Sequence, residues 1–303
     1  MDEVAALNVE LPLWRRVANF PLVAMLIGVA LILLGITVAG LITKFAMPAI
    51  PGFTGEMRFD IVAIPILIIL YKLVIRRLGE HPRDDLRLTG ATRPLLLGLG
   101  AGVVIFSIVV AIAAAIGVYR VTGEGNLSGL AAALLGSALF PAVSEEMLFR
   151  GVLFRWIEEF GGSWAALLVT SMLFGAAHLL NPGATWVAAV GIAFEAGVML
   201  GAAYMLTRSL WLPMGIHAAW NFTQGEIYDV PVSGSDPHGL VTAQLNGPPL
   251  LTGSGFGLEA SLIAIIVATA FGLWLLWLAV RKGEVMKPWW VRRRQLTAQS
   301  TAG

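Results

Sequence analysis

Val17 to Thr43 reads VANFPLVAMLIGVALILLGITVAGLIT, without a single charge. A helix needs about 20 residues to cross about 30 Å of hydrocarbon. The apolar region of a secretory signal peptide is only about 7–15 residues long. This stretch is therefore expected to span a membrane and to stay in the protein. The composition agrees: of 303 residues, 57% are hydrophobic and 13% charged, and the mean hydropathy is +0.81. Soluble domains carry about 25% charged residues. The bilayer is therefore this chain's first partner.

Working outward by the same length rule, the sequence predicts eight spans. They are Phe20–Thr43, Ile61–Ile75, Leu95–Tyr119, a fourth from about Leu127 to Phe160, Ser163–Leu180, Ala184–Thr207, Leu210–Gln224 and Leu258–Val280. The second is short and holds Pro65, with Lys72 near its end, placed to snorkel. The expected fold is all-α, a polytopic transmembrane bundle in which residues 1–303 form one membrane domain. Gly225–Gly257, rich in Gly, Pro, Ser and Asp, reads as an irregular external loop.

Loop charge tests the count. Arg76, Arg77, Arg83, Arg87 and Arg93 follow the second span, and Arg281, Lys282, Lys287, Arg292, Arg293 and Arg294 follow the last. The Asn181–Gly183 turn and the Gly225–Gly257 segment have no Lys or Arg. Basic residues concentrate on cytoplasmic loops. Eight alternating spans satisfy this rule with both termini cytoplasmic, and Arg15 and Arg16 agree. Trp289 and Trp290 beside the tail arginines read as an interfacial anchor. A net charge of +1 gives no electrostatic case for nucleic acid, and zero cysteines exclude disulfides, thiolate metal sites and a cysteine nucleophile.

An ionisable side chain at the bilayer centre costs about 2.5–3.5 kcal/mol on insertion scales, so each one here needs a reason. Between Leu127 and Gln224 these residues are Glu145, Glu146, Arg150, His178, Glu195 and His217. Glu146 and Arg150 are four apart and can pair on one helix face. Glu145 lies about 100° round the helix and is left to titrate. Taken alone, E-E-x-x-x-R also fits a charge cluster at a helix end, continued by Arg155, Glu158 and Glu159. Phe174 and His178 share a face, as do His217 and Asn221, and either pair also fits a polar seam between helices. Glu195 sits beside the packing motif Gly197-x-x-x-Gly201, and it either bonds within the bundle or lines a cavity.

Together these groups point to hydrolysis. A buried carboxylate suits a general base, and His217 and Asn221 can donate to a developing oxyanion. Glu145, His178 and His217 can alternatively hold a divalent metal such as zinc and activate its water. The H-E-x-x-H zinc motif is absent.

Three signatures occur in order: Glu145-Glu146-Met147-Leu148-Phe149-Arg150-Gly151, Phe174-x-x-x-His178 and His217-x-x-x-Asn221. With Gly197, Gly201, Ser209, Leu210, Trp211 and Pro213, they closely resemble the CPBP family, the CAAX protease and bacteriocin-processing (Abi) group of intramembrane proteases. The resemblance covers residues 127–222. It implies an eight-helix membrane endopeptidase, similar to type II CAAX prenyl endopeptidases. It further implies that Glu145 and His178 activate water, His217 and Asn221 form the oxyanion site, and Glu146 and Arg150 order the first motif. The family is commonly labelled metalloprotease, and a metal-free glutamate mechanism is also proposed for it. The substrate would be a peptide or membrane-protein segment, cut near the cytoplasmic membrane face. A proton-coupled transporter and a catalytically silent immunity or scaffold protein are the alternatives.

Overall fold

In hydrocarbon no water is available to backbone amides, so apolar runs close into helices. The computed structural model describes residues 12–126, 128–237 and 239–302. Among these, eight helical segments build the bundle: α1 (Pro21–Phe45), α2 (Gly55–Leu73), α3 (Thr92–Ala115), α4 (Leu130–Gly161), α5 (Ser163–Ala177), α6 (Trp186–Thr207), α7 (Trp211–Phe222) and α8 (Leu262–Arg281). Six are long and apolar enough to cross a membrane on their own. The exceptions are α2, which carries Glu56, Arg58, Asp60 and Lys72, and α7, which is short and almost wholly buried.

Several boundaries differ from expectation. The predicted start of the fourth span, Leu127, lies outside the described residues, and α4 is helical from Leu130. α3 stops at Ala115 rather than Tyr119, because Gly117 takes φ +79° and the amides of Gly117 and Val118 turn back onto Ala114 and Ala113. Tyr119 instead opens β1 (Tyr119–Glu124), which pairs antiparallel with β2 (Val241–Leu245). The 225–257 segment is thus partly ordered. Asp229 accepts amides from Gly239 and Ala243, and the Ser233 amide donates to Glu259 Oε1. The start predicted at Leu258 is a separate tight turn, and α8 begins after Ser261, whose hydroxyl caps it at Ala264.

The central contact is between α3 and α7. A Cβ at Gly98 would sit 2.5 Å from the Leu212 carbonyl, and one at Gly102 2.5 Å from that of Ile216. Only glycine lets the two backbones approach this closely. On the other side, Gly197 and Gly201 of α6 face Ser171 and Leu167 of α5, so the motif seen in the sequence is a helix contact.

The bundle has two unlike ends. At one, fully buried Arg155 donates to the carbonyls of Leu78, His81 and Arg83, pinning the loop after α2. Asp85 accepts from Tyr71 and Tyr204 and pairs with Arg83 at 3.2 Å. Arg208 bridges Glu158 and Glu284, and Lys72 and Arg76 meet Asp84 at 2.7 and 3.0 Å. The other end carries the two-stranded sheet, the turn after α5 and the 225–257 segment, joined where Gly234 meets Pro182.

Candidate active site

All six predicted site residues fall on α4, α5 with its last turn, and α7. Glu146 and Arg150, both fully buried, pair at 2.8 Å, as their spacing predicts. Arg150 also donates to the carbonyls of Ala196 and Gly197 at 3.2 Å, fastening α4 to α6. The backbone widens into a π-helical turn at Phe149–Phe154, again at Ala193–Gly197, and again at Thr223–Ile227 just past Asn221. Such turns recur at functional sites because they re-aim neighbouring side chains.

The same Glu146 oxygen that binds Arg150 lies 3.0 Å from His217 Nδ1. A carboxylate held by arginine can only accept, so Nδ1 carries the proton. The other ring nitrogen, Nε2, then faces Glu145 Oε2 at 3.9 Å. That Glu145 oxygen is buried and has no hydrogen-bond partner among the described residues, although its side chain is about one third exposed. The pair read from the sequence therefore divides as expected: Glu146 is committed and Glu145 is not.

His178 ends the second motif, and its Nδ1 donates to the Phe174 carbonyl at 2.8 Å, which leaves Nε2 free. Phe174 has a larger part than its sequence suggests. Its ring lies 4.7 Å below the Arg150 guanidinium, 4.7 Å from the His178 ring and 6.3 Å from that of His217. One aromatic side chain thus sets the relative placement of all three motifs. Asn221 spends one amide hydrogen on the Ser137 carbonyl at 2.8 Å and keeps the second.

His178, His217 and Asn221 line one cavity together with Glu195, Ser233 and Glu259. About 30 Å³ is open there to the centres of water-sized spheres, room for at least one water. Glu195 is buried, borders the cavity, and has an oxygen without a hydrogen-bond partner. Glu259 was missed in the sequence because it is a lone acid at the edge of an apolar run. The signal available was the turn-rich TGSGFG just before it. Burial pushes its carboxyl up to about 7, against the pull of the Ser233 hydrogen bond and His217.

Among the described residues, no group of three or more His, Asp or Glu side chains converges as metal donors, so Glu145, His178 and His217 do not form one ligand set. The cavity also borders Ser233 and Glu259, so it lies toward the end opposite the arginine-rich loops.

Residues 127–223 match the family model described as Type II CAAX prenyl endopeptidase Rce1-like. The match contains all three signatures and supports the resemblance to the CAAX protease (CPBP) family. No curated protein and no solved structure matches the chain.

Proposed function

We propose that this protein is a multi-pass intramembrane endopeptidase of the CAAX protease type, which hydrolyses a peptide bond with water activated by Glu145 and His178. The observation that carries the reading is the chain Arg150–Glu146–His217. It fixes one imidazole tautomer and aims Nε2 at the unpartnered Glu145.

The chemistry follows from the free atoms. Glu145 takes a proton from water as the oxygen attacks the scissile carbonyl carbon, and the free Nε2 of His178 orients that water. The carbonyl oxygen gains charge, which the second Asn221 N–H stabilises; His217 can donate to it only as the imidazolium, with Nε2 also protonated. The C–N bond then breaks, and Glu145 returns its proton to the leaving amine. Arg150, Glu146 and Phe174 touch no substrate; they position His217 and His178. With the basic end cytoplasmic by the positive-inside rule, both termini lie there too. On that assignment the cavity lies toward the opposite face, whereas the sequence reading places cleavage near the cytoplasmic one.

The test is cleavage of a peptide library by purified protein. Glu145→Ala and His178→Ala are each expected to lower the rate by about 10²–10⁴ while membrane insertion persists. Wild-type rates in either variant would overturn the mechanism, whereas no cleavage by the wild-type protein would favour the transporter or scaffold readings. Chelator-stripped protein, shown metal-free by elemental analysis, is expected to keep its rate. Loss of activity that zinc restores would instead establish a metal-dependent site.

A further inference from the structure

A second opening lies beside the catalytic cavity. It is a cleft of about 710 Å³ between α2, the start of α4 and the segment after α7. Four carboxylates line it: Glu56 and Asp60 from α2, with Glu226 and Asp236 from the other wall. No Lys or Arg is among its lining residues. Arg58, the nearest cation in sequence, is turned away and donates to the carbonyls of Met47 and Pro48. Asp60 is only 3% exposed, yet its Oδ2 has no hydrogen-bond partner among the described residues. Gly136 faces that buried oxygen across the cleft; a Cβ there would lie 3.4 Å from it.

The cleft and the catalytic cavity share a wall. Ser137 lines the cleft, and its carbonyl receives the Asn221 amide, while Asn221 lines the cavity. Whatever enters the cleft therefore lies next to the oxyanion donor.

We infer that this cleft binds the basic side chains of a peptide substrate, so that the preferred substrate carries Lys or Arg near the scissile bond. Calling the bound peptide a substrate rests on the protease reading above. One sign of charge between low-dielectric walls focuses the field and concentrates counter-ions. A buried carboxylate without a partner is costly. An ammonium or guanidinium arriving from outside supplies the missing donor to Asp60.

The experiment uses the full chain carrying Glu145→Ala, in nonionic detergent, with fluorescein-labelled pentalysine and pentaserine as probes read by anisotropy. Pentalysine is expected to bind and pentaserine not to. Glu56→Gln with Asp236→Asn, and Asp60→Asn by itself, should each weaken pentalysine about tenfold or more. Glu124→Gln, an exposed acid at the same end but outside the cleft, should leave it unchanged. High salt should weaken the wild-type complex. Equal binding of both probes, or pentalysine binding indifferent to the cleft variants, overturns the inference. The two readings fail separately. Wild-type protein that cuts a peptide library with no basic preference removes the cleft and leaves the protease. Protein that binds pentalysine through the cleft but cuts nothing removes the protease and leaves the cleft.

Discussion

At the arginine-rich end, buried charges of both signs are interleaved. Arg155 reaches three carbonyls, Asp85 gathers two tyrosines and Arg83, and Glu158 holds Ser163 and Arg208. Glu159 is the loosest member, 4.0 Å from Arg155, with both oxygens lacking a hydrogen-bond partner among the described residues. Toward the opposite end, Asp60, Glu145, Glu146 and Glu195 each keep an oxygen with no hydrogen-bond partner among the described residues. Carboxylates there outnumber the cations that could answer them. The first region uses charge to tie loops to helices. The second leaves charge unanswered next to open space, where it can act on a ligand.

Arg155→Met breaks the comparison most strongly. The part-buried carbonyls of Leu78, His81 and Arg83 would lose their donor and buried Glu159 its i,i+4 cation, and stability should fall by about 3–5 kcal/mol, seen as an earlier unfolding midpoint in a denaturing-detergent titration. The fraction that stays folded should still cleave. Glu145→Gln should do the reverse, with activity lost and the midpoint unchanged or raised, because it removes an unpartnered charge. An Arg155→Met protein with normal stability would show that the arginine network is ornamental.

The smallest effect concerns pH. Burial works to raise the Asp84 carboxyl, but the hydrogen bonds and charge of Lys72 and Arg76 hold it below the usual range. Glu284 is likewise depressed: burial raises it, and Lys282 and Arg208 outweigh that. A depressed carboxyl binds fewer protons folded than unfolded, so it stabilises above its unfolded pKa, and that gain is lost as pH falls through the folded value. Thermal midpoints should drop on acidification below about pH 4–5. Asp84→Asn should flatten the drop at a cost of about 1 kcal/mol or less at neutral pH, since the pair is partly exposed.

The bundle itself was legible because apolar runs of bilayer length admit few other readings. Segments α1, α3, α5, α6 and α8 fall within a few residues of their predicted places. The two-stranded sheet was not legible: Tyr119 and Leu245 pair across a long stretch of chain, and the local sequence resembles loop. Within the site, Glu146–Arg150 could be read because i,i+4 pairing is local. The Glu146–His217 bond could not, since it joins residues 71 positions apart.

The sequence by itself determined the solvent, the helices and which residue types lie at membrane depth. Those follow from composition and short-range periodicity, which no tertiary contact can reverse. Only the tertiary structure decided which glutamate is committed to His217, that Phe174 joins three motifs, and that Glu259 and the acidic cleft border the same centre. Each depends on how closely helices approach, and that distance is set by glycines whose partners lie elsewhere in the chain.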